Sequence, residues 1–474
     1  MSWYEPSFVY QVYPLGLCGA PHENDGVTVP RLRKLVDDGW VDHMKRLGAT
    51  CLMLNPVFQS LTHGYDTTDY TTVDCRLGTN DDLRFVVDAC HKAGIRVLLD
   101  GVFNHVGRDF FAFRDVREKG QQSRYAGWFN IDWNGNSEFN DGFGYETWAG
   151  VSTLVKLNHG NFELNDYLAD VIRGWVRDFD IDGLRLDVAY CLDRGYLGYL
   201  RQIADGISQE RGEKFVLVGE TMFGDYNQWM GDGLCDSVTN YEAYKGLWSS
   251  FNSANMHEVA YALERQSGSQ PWDLYAGKHL LDFVDNHDVP RIATKLDDKR
   301  QLKPLYGLLF AMCGVPCVYY GSEWGIEGEQ HYGDYELRPA LDAPEWNDLT
   351  DWIAALAHAR EKSDAIVWGD YHELQCQPQQ LVFQRCHGDE RVIVAINASA
   401  EPAVAHFDAG CGRAVDLITG EPHDFGGGSE LAPFSAYWWL CERSRTADAP
   451  PFSPKKSRPG REARGGLQQR KNLA

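Results

Sequence analysis

The chain has 474 residues, a formal net charge of −23 and an aromatic content of 13%. That length exceeds one ordinary core and suits a large barrel with smaller modules. The acidic balance argues against nucleic acid as a ligand, because phosphates would be repelled. No apolar run approaches membrane-spanning length, and Met1-Ser2-Trp3-Tyr4-Glu5-Pro6 has no basic region leading into one. Twelve cysteines are scattered without a metal-finger spacing, and Cys51, Cys90 and Cys317 sit in apolar runs. These features predict reduced thiols in a cytoplasmic protein that needs no membrane.

Phe8 to Pro14 reads as a first strand. The loop Gly16 to Gly26 holds Glu23, Asn24 and Asp25, but oxygen ligands alternate incompletely there, and a solvated turn is expected rather than a calcium loop. Arg31 to Leu47 has helical spacing and stops at Gly48. Thr50 to Pro56 is the second strand. Thr79 is expected to cap a helix with Asp81 and Asp82 in its first turn, a stripe of Leu83, Val86, Val87 and Cys90, and a stop at Gly94.

The third strand, Ile95 to Leu99, leads into Asp100-Gly101-Val102-Phe103-Asn104-His105, after which the regular beat is lost. Residues 106–162 are rich in Trp, Phe, Gly and Asn, and predict an inserted domain. A helix near Leu164 to Phe179 restores the pattern. Strands follow at Gly183 to Asp187, Phe215 to Glu220, Asp236 to Asn240, Leu280 to Asn286 and Val315 to Tyr320. Eight strands with intervening helices predict a (β/α)8 TIM barrel. No Gly-x-Gly-x-x-Gly loop follows the first strand, which weighs against a doubly wound sheet.

After a helix near Asp351 to Glu361, short strands at 381–385, 392–396, 414–417 and 436–440 predict a C-terminal antiparallel β-sandwich. From Arg443 the chain carries nine basic residues against two acidic ones and reads as a disordered tail. The expected plan is a barrel over 1–105 and 163–362, an insertion over 106–162, a sandwich over 363–442 and a tail over 443–474.

Parallel barrels gather their sites where strands end. Asp187 and Glu220 end strands four and five, and Asp288 ends strand seven. Two carboxylates across a barrel mouth can cleave a glycosidic bond, one attacking the anomeric carbon while the other protonates the leaving oxygen. A cation at Arg185 beside Asp187 favours the ionised form that a nucleophile needs. An acidic, aromatic-rich chain is also compatible with a neutral sugar as substrate.

Asp100 to His105, Gly183-Leu184-Arg185-Leu186-Asp187, Val218-Gly219-Glu220 and Phe283-Val284-Asp285-Asn286-His287-Asp288 resemble, in order, the four signature regions of the α-amylase family, glycoside hydrolase family 13. Gly64-Tyr65-Asp66-Thr67-Thr68-Asp69-Tyr70 and Gly314 to Glu323 support the resemblance, which spans residue 8 to about 440. It implies that Asp187 is the nucleophile, Glu220 the general acid/base and Asp288 a third carboxylate that binds sugar hydroxyls. It further implies that Arg185 orients Asp187, that His105 and His287 bind the sugar at the cleavage point, and that Tyr65 stacks on it. Lys156 and Arg338 would add sugar contacts.

Leu154-Val155-Lys156-Leu157-Asn158 is similar to the motif of the neopullulanase and cyclomaltodextrinase branch, although here the barrel begins without that branch's N-terminal β domain. The family's usual calcium site pairs an Asn like Asn104 with a His at the position of Cys191, and a neighbouring Lys is Tyr190. A thiol is a poor calcium ligand, so no metal or cofactor is expected to be required, and a structural Ca2+ would need an altered site. The expected function is retaining hydrolysis of α-1,4 bonds in maltooligosaccharides or starch fragments. A 4-α-glucanotransferase or a cyclomaltodextrinase/neopullulanase could use the same residues. A non-catalytic amylase-like binding subunit would be expected to lose Asp187 or Glu220 and to bring a membrane span.

Overall fold

A computed structural model describes residues 2–442 other than 232, 269, 271 and 332. The expected basic tail, 443–474, lies outside the described residues. Eight parallel strands form one sheet: Val9–Val12, Cys51–Leu54, Arg96–Gly101, Gly183–Leu186, Val216–Gly219, Ser237–Val238, Leu281–Phe283 and Val315–Tyr319. Taken as barrel strands one to eight, they lie in the order 6-5-4-3-2-1-8-7. A parallel bridge between Thr239 and Leu281 brings strands six and seven together and closes the ring.

Alternation along each strand sorts the core. Val9, Cys51, Met53, Leu98, Val216, Val218, Phe283 and Cys317 pack together in one cluster, with Tyr4 among them. Their neighbours Tyr10, Leu52, Leu54, Val97, Leu99, Leu184 and Leu217 join the larger cluster shared with the helices. Gly183 is required at its position, because a Cβ there would sit 2.3 Å from the carbonyl oxygen of Val216.

The helix Asn80–Ala93 begins at Thr79 with a capping box: the carboxylate of Asp82 accepts from the Thr79 N–H at 2.9 Å. The single helix expected over Arg31 to Leu47 is instead broken into Arg31–Arg33, Lys34–Asp37 and Trp40–Leu47. Gly39 takes φ +80° between the last two, which ends one helix and starts the next. Strand six is also shorter than its sequence suggested, only Ser237–Val238.

Between strand three and the helix Phe162–Phe179 lies a small unit. Strands His105–Gly107 and Leu154–Lys156 pair in it, beside the helix Phe111–Lys119. Phe110, Phe113, Trp128 and Phe129 are buried beneath it.

The C-terminal region is a six-stranded sheet in the order Asp370–Cys376, Gln380–His387, Glu390–Asn397, Ser435–Cys441, Arg413–Asp416, Pro422–Asp424. A two-stranded pair, Ala403–Ala405 with Ser429–Leu431, completes it. One face, with Val382, Ile393, Ala395 and Trp439, packs toward that pair. The other, with Phe383, Val394, Ile396 and Trp438, joins the barrel core. Trp438 Nε1 donates to the carbonyl of Gly307 at 3.2 Å, in the barrel helix Leu302–Ala311. A Cβ on Gly307 would lie 2.4 Å from Ala436 Cβ, so glycine lets strand and helix touch. Among the described residues, no helix is long and apolar enough to cross a membrane.

Candidate active site

Strand register brings the charged groups together. Arg185 on strand four pairs in register with Asp100 on strand three and Val218 on strand five. Asp187 and Glu220 therefore leave adjacent strands just beyond the paired segment. Arg185, 3% exposed, donates through Nη1 to Asp100 Oδ2 at 2.6 Å and to Asp187 Oδ1 at 3.0 Å. Its Nη2 lies 2.8 Å from Glu220 Oε1. One guanidinium thus serves three buried carboxylates.

That sharing corrects the expectation that Arg185 simply keeps Asp187 ionised. Burial pushes the Asp187 carboxyl well above the usual range, Arg185 opposes this, and the charges of Glu220, Asp100 and Asp288 add to the rise. Glu220 is raised by burial and by Asp288, against Arg185 and the Val188 N–H. Three carboxylates on one cation favour retention of a proton within the cluster.

Val188 is held at φ +39°, an uncommon conformation for a β-branched residue, and its N–H donates to Glu220 Oε2 at 2.8 Å. Asp288 sits opposite, bound by Arg338 Nη2 at 2.7 Å, while Arg338 Nε donates to the His287 carbonyl at 3.0 Å.

Asn104 Nδ2 donates to His105 Nδ1 at 3.1 Å, which assigns the ring proton to Nε2. That Nε2 is buried without a hydrogen-bond partner and lies 4.0 Å from Asp187 Oδ2. Burial pushes the imidazole down to about 3, so it is a neutral donor. Tyr65 bonds through its hydroxyl to Asp100 Oδ2 at 3.2 Å and to His287 Nε2 at 2.5 Å.

A cavity of about 390 Å³ opens over these groups. Asp187, Glu220, Asp288, Tyr65, His105 and Arg338 line it. Arg185 lies beneath them, tied to Asp187 and Glu220. His287 is also a layer back, 1% exposed, stacked on Tyr65 at 5.7 Å, with its Nε2 3.0 Å from Asp288 Oδ2. Its place is behind Tyr65 and Asp288, where it is bonded to the Tyr65 hydroxyl. Lys156 turns to Glu146, 2.8 Å from its Nζ, and is not among the residues that line the cavity.

The residues around Asn104 do not fit a calcium ion. Where the family's usual site has a His, Cys191 offers a half-buried thiol, a poor calcium ligand. The neighbouring carbonyl of Phe103 accepts from His159 Nε2 at 2.8 Å. Asn24 and Asp25 are likewise used within their turn, accepting from the N–H groups of Gly26 and Val27. Among the described residues, no group of three or more His, Cys, Asp or Glu is placed to hold a metal.

Residues 39–365 match the α-amylase catalytic domain family, and residues 371–438 match the maltogenic amylase C-terminal domain. The chain belongs to the α-amylase family. It is 32% identical over 391 residues to a cyclomaltodextrinase of Geobacillus thermopakistaniensis (strain MAS1), covering 80% of this chain and 65% of that relative's length. It is 30% identical over 451 residues to neopullulanase 2 of Thermoactinomyces vulgaris, covering 89% and 74%. A similar solved structure is the ligand-free cyclic α-maltosyl-(1→6)-maltose hydrolase of Arthrobacter globiformis, with 25% identity and a TM-score of 0.78, covering 93% of this chain and 100% of that one.

In this α-amylase family member, sequence patterning missed much of the cavity wall. Trp148, Val151, Tyr190, Met222 and Tyr241 all line it. Most come from loops, where no periodicity marks a side chain as facing a site. No spacing in the sequence marks a role for Asp100, yet its carboxylate is the partner of Arg185 at the shortest distance, 2.6 Å.

Proposed function

We propose that the protein is a retaining glycoside hydrolase that cleaves α-1,4 bonds of maltooligosaccharides or starch fragments. Three carboxylates facing one cavity from the ends of strands four, five and seven, two of them tied to Arg185, carry the proposal. In this reading Asp187 attacks the anomeric carbon while Glu220 gives its proton to the leaving oxygen. Water, deprotonated by Glu220, then attacks the anomeric carbon, the bond from that carbon to Asp187 breaks, and the sugar is freed. Asp288, fixed by Arg338, accepts from sugar hydroxyls, and the neutral His105 Nε2–H supplies a donor beside the nucleophile. The order of the family's motifs assigns the roles of Asp187 and Glu220. Twelve free thiols support a place inside the cell.

A second reading, transfer to another sugar, is supported by an apolar side of the mouth. Trp148, Val151, Tyr190 and Met222 line it, and Phe223, 65% exposed, lies with its ring 5.5 Å from that of Tyr190. Such a surface stacks a sugar face and sheds water, which favours a sugar acceptor over hydrolysis.

Proton NMR of the first-formed product from maltoheptaose is expected to show the α anomer. Initial release of the β anomer would overturn the two-step mechanism. Product profiles on maltotriose, maltoheptaose, cyclodextrin and pullulan separate the outcomes: glucose and maltose mean hydrolysis, and products longer than the substrate mean transfer. No turnover of any of them would point to a binding protein.

A further inference from the structure

The C-terminal sheet holds a pair of thiols that the active site does not use. Strand Ser435–Cys441 runs between Glu390–Asn397 and Arg413–Asp416, with Val392 opposite Leu440 and Ala414 opposite Cys441. This register sets Arg391 beside the end of the last strand. Arg391 Nη2 donates to Cys411 Sγ at 3.5 Å and to Cys441 Sγ at 3.4 Å. One guanidinium nitrogen therefore draws both sulfurs to itself. Gly410 turns at φ +59°, and a Cβ there would come within 2.9 Å of Arg391 Nη1, so glycine lets the loop bearing Cys411 close over the guanidinium. Both cysteines are half-buried and reduced.

We propose that Cys411 and Cys441 are a modification site, a thiol pair that hydrogen peroxide converts reversibly into a disulfide clamping the last strand of the C-terminal sheet. Arg391 supplies the positive charge that favours a thiolate. Burial pushes the Cys441 thiol up to about 12, so it is the poorer nucleophile of the two and the first attack falls to Cys411. The Cys411 sulfur attacks one peroxide oxygen; an S–O bond forms, the O–O bond breaks and one water leaves. The Cys441 sulfur then attacks the sulfenic sulfur; an S–S bond forms, the S–O bond breaks and a second water leaves. Two thiols lose two electrons and two protons, and one peroxide is reduced to two waters.

The new bond would close a loop that contains Trp438, which reaches into the barrel, and Trp439, which anchors the outer face of the sheet. Cross-linking removes freedom from the unfolded chain and stabilises the fold.

The test treats the full chain with hydrogen peroxide, blocks the remaining thiols by alkylation and maps the peptides. A Cys411–Cys441 cross-linked peptide is expected before the other ten cysteines are lost, with a rise in Tm of roughly 5 °C that dithiothreitol reverses. Cys411→Ser and Cys441→Ser should each fold, turn over maltoheptaose as the parent does, and show neither the cross-link nor the rise. Arg391→Met should slow the cross-linking. Oxidation elsewhere without this link, or a link that leaves Tm unchanged, would overturn the proposal. Because turnover by the parent is measured separately, failure here is distinct from failure of the glycosidase reading.

Discussion

Val188 donates its backbone N–H to Glu220 Oε2 at 2.8 Å, while Arg185 faces the other oxygen of the same carboxylate at 2.8 Å. Both oxygens of Glu220 therefore accept. A glutamine has one acceptor for these two donors, so Glu220→Gln leaves an NH2 group against a cation or an amide. A cost of about 1–3 kcal/mol is expected, read as a lower Tm.

The same variant tests the chemistry. Glu220→Gln is expected to lower kcat on maltoheptaose by roughly 10³-fold, yet to spare glycosyl-enzyme formation from α-maltosyl fluoride, whose leaving group needs little proton help. Asp187→Asn should lose both, since neither substrate proceeds without the attacking oxygen. Pre-steady-state kinetics with both substrates decide the matter. Rescue of Asp187→Asn by the fluoride, and not of Glu220→Gln, would exchange their roles.

Asp288 is among the charges that hold Glu220 above the ordinary carboxyl range. Removing that charge lowers the pKa of the acid, which then loses its proton at a lower pH. The basic limb of kcat/KM in Asp288→Asn is therefore expected to move toward lower pH, alongside a fall in kcat. A pH profile whose basic limb stays in place would show that Glu220 does not feel Asp288.

Asp282 ends no catalytic strand but is wholly buried on strand seven, accepting from Asn240 Nδ2 at 2.7 Å and from the Gly314 N–H at 3.1 Å. Burial, opposed by Asn240 and Arg360, pushes its carboxyl up to about 7. The folded chain then binds more protons than the unfolded chain between about pH 4 and 7, so this group's contribution to stability falls as pH rises through that window. Asp282→Asn should therefore gain stability relative to the parent between about pH 5 and 8. Urea titrations at the two ends of the range measure the difference, and a constant offset would refute the assignment.

Chelation is expected to leave most of the activity intact, because Cys191 offers a thiol, a poor calcium ligand. Turnover assayed with and without EDTA checks this. Complete loss, restored by calcium alone, would place a metal site elsewhere.

Periodicity made the barrel legible because each strand is short, apolar and ends in a polar group, and Asp187, Glu220 and Asp288 follow from those endings. Helix breaks were less legible. Gly39 looks like any helix glycine in sequence, and only its positive φ shows that it separates two helices. Lys156 and His287 show a different limit. Sequence places both at the mouth, but Glu146 draws the ammonium aside, and Tyr65 and Tyr13 enclose the imidazole between two rings. Side-chain partners from distant segments decide such details, and spacing carries no trace of them. The aromatic wall was hidden for the same reason, since Trp148 and Tyr190 belong to segments without a repeat.

Gly307 has a consequence for anyone who would exchange modules within this family. Its missing side chain is the space into which Ala436 fits, and its carbonyl is the acceptor for Trp438. A C-terminal sheet transplanted from a relative would meet a helix surface shaped for another partner. The unit of exchange is therefore the sheet together with the helix Leu302–Ala311, and chimaeras joined between them are expected to unfold as mismatched halves rather than in one transition.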